Sequence, residues 1–476
     1  MVLSTRRGAW RNCLARPPRP ILLSFSDNGG RHLVPASAGS VFSARIEGLS
    51  HDGRGITRVE GKVWFVEGAL PGETVLVKPT RGKRSYSLGI AQQLLERSPA
   101  RVDPRCPAFG VCGGCALQHI DYGHQIEFKK ASVIEALDRV GVEPPSDVCE
   151  ISAAPWSYRR RARLGVRLVP KKGGVLVGFR ERNKSFITPL PTCPVIHQSV
   201  DRVLPKLPAL IERLAIPNRI PQIEIAAGEN ATALVFRHLS ALTDNDVSRL
   251  REFGAQENLL VYTQAKGPDT AVPITSEGVP VLFYTLKRFD LKICFSATNF
   301  IQVNAEVNER IVGLVTDWLN PGDRDRVLDL FCGLGNFSLA LARQSGEVIG
   351  VEGEPALVAQ ARENAAVNQI ANARFEVLDL FDESIKDWRP GQCSHVLVDP
   401  PRSGAIEVLK VANTHIRPRM IAYVSCNSAT FARDARYLTG SGSYQLTRLA
   451  VADMFPHTSQ VETAALFVRH DGAAKG

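Results

Sequence analysis

The chain has 476 residues, 44% of them hydrophobic, enough for about two to four domains, and it carries no run of 18 apolar residues that would span a bilayer as a helix. Lys and Arg outnumber Asp and Glu by 58 to 48, giving a formal charge of +10 that favours an anionic partner such as nucleic acid. Ten cysteines are too sparse for a disulfide scaffold in so long a chain; their clustering points to ligation or catalysis in a reducing compartment, the cytoplasm, and nothing indicates assembly beyond a monomer.

Residues 1–39 contain Arg6, Arg7, Arg11, Arg16 and Arg19, no acid before Asp27, and many Pro, Gly and Ser. A basic disordered extension is expected, with Cys13 incidental; a transit peptide or a start codon set too far upstream are the alternatives. Over residues 40–98, short alternating runs are split by Asp-Gly, Glu-Gly and Pro-Gly turns, the pattern of an OB-like β-barrel of five or so strands. Lys78, Arg81, Lys83 and Arg84 cluster on one connection beside Tyr86, suited to phosphates and a stacked base of RNA.

Residues 99–290 read as a central α/β domain. "CPAFGVCGGCALQHI" sets Cys106, Cys112 and Cys115 in a C-x5-C-x2-C spacing among Pro and Gly, the mark of a metal centre. Cys149, Cys193 and His197 compete as fourth ligand. Cys193, in the turn-like "PTCPVIH", is preferred, because Cys149 lies in an apolar strand-like segment. Four cysteines suit zinc or an iron–sulfur cluster equally by spacing. The hairpin-like stretch from Ser157 carries Arg159, Arg160, Arg161, Arg163, Arg167, Lys171, Lys172, Arg180, Arg182 and Lys184, a density that can build a positive strip for backbone phosphates. From about 200 to 290, strands alternate with one helix expected over Asp244–Phe253.

Residues 291–476 hold the densest chemistry. "RVLDLFCGLGNFSLALARQ" predicts a buried strand ending at Asp329, a turn at Gly333 and Gly335 where a ligand can approach the backbone, and a helix from near Phe337. The next strands end at Glu352, placed to accept a ribose, then at Asp379, then at Asp399-Pro400-Pro401-Arg402. In this order the set resembles a class I, Rossmann-like, S-adenosylmethionine methyltransferase. "MIAYVSC" is the following strand and puts Cys426 at the same edge, aimed at a substrate.

A thiolate there suits methylation of uracil carbon 5, since its addition to carbon 6 makes carbon 5 nucleophilic. A base must then remove the carbon 5 proton. Glu462, where the Pro-containing loop "DMFPHTSQV" enters a final apolar strand, is placed for partial desolvation and a raised pKa.

Together "FIQVNAEVNE", "DLFCGLGNFSL", "DPPRSG", "SCNSATFARD" and "DMFPHTSQVET" resemble the motifs of the RNA uracil-5-methyltransferases. The N-terminal barrel is similar to a TRAM domain, and barrel plus four cysteines are similar to the 23S rRNA-directed branch. The resemblance implies a [4Fe-4S] cluster on Cys106, Cys112, Cys115 and Cys193, Cys426 as nucleophile and Glu462 as base. It further implies S-adenosylmethionine bound by Gln302, Phe331, Asn336, Glu352, Asp379 and Asp399, and a target uridine flipped out of 23S rRNA. A second rRNA site, tRNA, or a non-catalytic ribosome-assembly role are the alternatives. Two positions depart from the family pattern, Ser428 for proline and Gln460 for histidine, from which slower catalysis is expected. A DNA cytosine-5 enzyme would carry Pro-Cys where Pro401-Arg402 stand.

Overall fold

The computed structural model describes residues 40–274, 278–440 and 442–470; the expected basic extension and Cys13 lie outside them. Two compact units are present, one made of residues 40–48 and 55–97, the other of residues 49–54 and everything from Ser98 onward.

The first unit is built on a six-stranded sheet in the order 42–45, 74–82, 86–96, 62–67, 55–59, 48–49, one strand more than the pattern suggested. Alternate residues of Thr74–Val77 turn inward, so Val75 and Val77 join Ala44, Ile46, Val66 and Ala69 in a small core. Three register shifts between strands 74–82 and 86–96 add local twist, which lets so small a sheet curl.

The second unit contains a seven-stranded sheet over residues 161–273. Its helix Asp244–Glu257 runs one turn further than expected, started by the reciprocal Thr243/Asp246 capping box and stopped by Asn258 in the left-handed region. The short helices Gln198–Asp201 and Leu207–Glu212 went unforeseen.

An eight-stranded sheet carries the chemistry. Its strands are β1 (Val148–Ile151), β2 (Arg326–Leu330), β3 (Glu347–Glu352), β4 (Ala373–Val377), β5 (His395–Val398), β6 (Met420–Ser425), β7 (Tyr444–Ala452) and β8 (Glu462–Arg469). The order across the sheet is β4-β3-β2-β5-β6-β8-β7-β1; β4 to β6 are parallel and β8 is antiparallel to both neighbours. Strands buried on both faces read as continuous apolar runs. Leu328 and Leu330 are fully buried and each contributes about 1.5–3 kcal/mol. Strand β1 comes from far upstream and pairs in parallel with β7.

Helix α1 (Tyr122–Arg139), capped by the Asp121 carboxylate, packs on helix Ser428–Gly440. Its buried stripe is Gln125, Ile126, Lys129, Val133 and Leu137, a helical repeat in which two positions are polar.

Candidate active site and cysteine cavity

The carboxyl ends of β2 to β6 form one edge, and the expected strand-end groups lie along it. Asp329 is fully buried; the Ser338 hydroxyl donates to its Oδ2 at 2.5 Å. Burial pushes this carboxyl up to about 7, against the Ser338 hydrogen bond and with the Asp399 charge adding to the rise. Phe331 follows with φ +65°, then Gly333 and Gly335 at +54° and +87°. A Cβ on Gly333 would meet nothing within 4 Å, whereas one on Gly335 would press on Leu339 at 3.2 Å. Gly333 thus leaves the loop open to a ligand, and Gly335 serves packing.

Glu352 is tied to this loop: its Oε2 accepts from the Gly333 N–H at 3.2 Å and its Oε1 from the Glu354 N–H at 3.1 Å. Asp379, two residues beyond β4, is exposed and accepts from the Phe381 N–H at 2.9 Å. The Phe381 ring lies 5.4 Å from that of Phe331 and tilted 42° to it, an apolar wall beside two carboxylates. Asn336 exchanges amide hydrogen bonds with Asn308 at 2.9 and 3.0 Å, and its Oδ1 accepts from the Tyr284 hydroxyl at 2.8 Å. The carbonyl of Gln302 accepts from Arg160 Nε at 2.8 Å, while that guanidinium sits over the Tyr284 ring at 4.3 Å. Arg160 was grouped with the positive strip; at 4% exposure it is instead a strut joining the Gln302 and Asn336 segments.

The antiparallel register of β6 and β8 ends with Ser425 opposite Thr463, so Cys426 follows directly after β6 and Glu462 stands at the start of β8, at the same end of the pair. Burial raises the Cys426 thiol, the charges of Glu462 and Asp399 raise it further, and Arg402 opposes them. Glu462, 3% exposed, is raised well above the usual carboxylate range by burial and by Asp399, again against Arg402. Asp399 keeps an edge open to the cleft, and its surroundings push it up to about 7 by burial. Arg402 was not singled out from the sequence; its place in "DPPRSG" was the available signal.

The turn after Cys426 closes without proline. Asn427 Oδ1 accepts from the Ala429 and Thr430 N–H groups at 3.0 and 3.4 Å, and its Nδ2 donates to the Arg402 carbonyl at 3.1 Å. Ser428 is therefore the first residue of a capped helix. Gln460 is exposed, at the rim of the cysteine cavity.

Cys106, Cys112, Cys115 and Cys193 line one cavity of about 310 Å³, with Phe455, Thr458, Ser459 and Gln460 on its far wall. All four are free thiols. Among the described residues no three His, Cys, Asp or Glu side chains are set to hold a single metal ion. Burial pushes Cys115 up to about 11 and Cys193 up to about 12, and neighbouring thiolates add to both. Cys149 lies in β1, His197 Nδ1 bonds the Ser199 hydroxyl at 2.7 Å, and neither residue lines the cavity.

Of the basic hairpins, Arg161 and Arg163 both pair with Glu224, at 2.8 and 2.9 Å, which interrupts the expected strip. Beside Gly113 and Gly114, an open groove of about 920 Å³ is lined by Arg163, Arg167, Arg180, Arg182 and Lys184. In the barrel unit, Lys83 lies 5.4 Å over the Tyr86 ring, within an exposed basic turn. No described helix is long and apolar enough to cross a membrane.

Comparison with known proteins bears on the whole arrangement. The profile of the family described as tRNA (Uracil-5-)-methyltransferase matches residues 179–470, and that of the TRAM domain residues 35–91. The chain is 47% identical to the 23S rRNA (uracil(1939)-C(5))-methyltransferase RlmD of Azoarcus sp. strain BH72, over 90% of this chain and 99% of that one. It is 44% identical to the protein of the same name from Stenotrophomonas maltophilia strain K279a, over 90% and 97%. Among solved structures, Pyrococcus abyssi tRNA (uracil-54, C5)-methyltransferase in complex with S-adenosyl-L-homocysteine matches with a TM-score of 0.70 at 25% identity, covering 90% of this chain and all of that one. With a family profile spanning more than half the sequence and relatives this similar over nearly their full length, the chain belongs to the RNA uracil-5-methyltransferase family.

Proposed function

We propose that the protein methylates carbon 5 of one uridine in 23S rRNA, with Cys426 as nucleophile and Glu462 as base. The observation that carries this reading is the Cys426 thiol just after β6 beside the Glu462 carboxylate at the start of β8, near enough that the charges of Glu462 and Asp399 act on the thiol. Cys426 adds as thiolate to carbon 6 of the flipped uracil; Arg402 favours the thiolate against burial. Bound S-adenosylmethionine supplies an electrophilic methyl group for carbon 5. Glu462, as carboxylate, takes the carbon 5 proton, and the thiolate leaves carbon 6.

Gln302, Phe331, Asn336, Glu352, Asp379 and Asp399 would hold S-adenosylmethionine, and the open space above Gly333, the Phe331–Phe381 wall and the strand-end carboxylates fit a nucleoside with a ribose. Four thiols around one cavity fit the [4Fe-4S] cluster that the family resemblance implies. Such a cluster needs no electron-transfer role in this chemistry and is read as structural, in a cytoplasmic monomer. Ribosomal rather than transfer RNA is favoured by the relatives named for 23S rRNA, which align over more than nine-tenths of their length.

The test is to supply anaerobically purified protein with methyl-labelled S-adenosylmethionine and, separately, protein-free 23S rRNA and bulk tRNA. Label at a single 23S position as 5-methyluridine is expected. Label on tRNA would keep the mechanism and overturn the substrate, and label on neither would overturn the enzymatic reading.

A further inference from the structure

The nine residues Asp453–Val461 lead from β7 to the base and have no regular structure of their own. They are nonetheless pinned from outside at Asp453, Phe455, Pro456 and His457, by the segment after Cys115, helix α1, Ile151 and Tyr158. The Asp453 N–H donates to the Ile151 carbonyl at 2.8 Å, and the Asp453 carboxylate accepts from Lys129 Nζ at 2.5 Å with both side chains fully buried. Lys129 also donates to the Phe455 carbonyl at 3.0 Å, and the Tyr158 hydroxyl to the Pro456 carbonyl at 3.1 Å.

His457 is the centre of the arrangement. Its φ of +67° is in the left-handed region, a costly conformation for a side-chain-bearing residue that persists only where surroundings impose it. Its carbonyl accepts from two successive N–H groups, Ala116 at 2.8 Å and Leu117 at 2.9 Å, immediately after Cys115. Its N–H donates to Gln125 Oε1 at 3.0 Å, and Gln125 Nε2 donates back to the Leu117 and Ile120 carbonyls at 3.0 and 2.9 Å. Its ring stacks on Trp156 at 3.9 Å. Five residues further on stands Glu462.

We infer that the cysteine segment, helix α1 and residues 156–158 form a clamp that positions the Glu462 carboxylate, with Gln125 and Tyr158 as positioning residues that touch neither substrate nor cofactor. The inference rests on the reading of Glu462 as base. Loosening the clamp shifts the entry of β8, and displacing a reacting group by about 1 Å costs up to roughly a hundredfold in rate. The step affected is proton removal from carbon 5, which follows thiol addition and methyl transfer, so the enzyme stalls as a covalent adduct with methylated RNA.

The experiment uses the full chain with its iron content measured, and the variants Gln125→Leu and Tyr158→Phe, the second removing one hydroxyl only. With methyl-labelled S-adenosylmethionine and 23S rRNA, the fraction of enzyme recovered as denaturant-stable, labelled RNA adduct is expected to rise about tenfold in Gln125→Leu and less in Tyr158→Phe. Amide exchange should quicken over residues 454–461, with KM for RNA and the iron content unchanged. Faster exchange there with a wild-type adduct fraction overturns the inference; if Gln125→Leu loses iron or fails to fold, Tyr158→Phe decides by the same two readouts. Glu462→Gln run alongside separates the failures. Adduct with Glu462→Gln and none with the clamp variants overturns the clamp alone, whereas no adduct with Glu462→Gln overturns the base assignment and the clamp with it.

Discussion

Replacing Lys129 by methionine tests the least exposed ion pair among the described residues. Both Lys129 and Asp453 are at zero exposure, 2.5 Å apart, and burial already pulls the Lys129 ammonium downward against the attraction of Asp453. Lys129→Met leaves the Asp453 carboxylate buried without its partner, a loss of about 3–5 kcal/mol. The unit containing both residues has roughly 380 residues, and at about 2.1 cal/mol/K per residue its unfolding entropy is about 0.8 kcal/mol/K. Its calorimetric midpoint is therefore expected to fall by about 4–6 °C. In the double variant Lys129→Met/Asp453→Leu no charge is stranded, and most of the loss should return. A single variant within about 1 °C of the native midpoint would mean that water reaches the pair. A double variant as weak as the single would assign the loss to packing rather than to charge.

Cys426→Ala should abolish methylation while RNA affinity in a filter-binding assay stays near native; retained turnover would remove the thiol from the mechanism. Glu462→Gln should form a gel-stable RNA adduct that disappears when Cys426 is also replaced, and normal turnover would point to another base. The pKa values of Cys426 and Glu462 are both raised, and both groups act in the deprotonated form. Activity should therefore be lost as pH falls at values well above an ordinary carboxylate's, about 4.3; a kcat/KM flat down to about pH 5 would refute this. Cys193→Ser should lose bound iron and sulfide by elemental analysis, and unchanged iron would exclude Cys193 as a ligand.

What the sequence disclosed and what it withheld divide along physical lines. Glu352 and Cys426 were placed at strand ends because buried parallel strands are continuous apolar runs whose ends are abrupt. The four cysteines share a cavity although Cys193 lies far along the chain: the C-x5-C-x2-C spacing linked the first three, and the turn-like "PTCPVIH" context added Cys193. Arg160 misled because residue type says nothing of direction: it lies just before a strand in a run of arginines, yet its guanidinium turns inward onto Tyr284. Gln125 and Lys129 were missed for the converse reason. They hold apolar positions of a helical stripe, and only their partners, more than 300 residues later, explain polar groups there.

Strand β1 has a consequence for synthesis. Val148–Ile151 leaves the ribosome about 300 residues ahead of its partner β7, an interval of roughly 15–60 s at about 5–20 residues per second. During that time the nascent chain carries a strand whose sheet does not yet exist, in a topology whose long-range pairing slows folding. The catalytic sheet is thus completed last, by a segment made early. A gene fragment encoding only residues 291–476 would leave the hydrogen-bonding edge of β7 bare, an edge prone to pair with another copy.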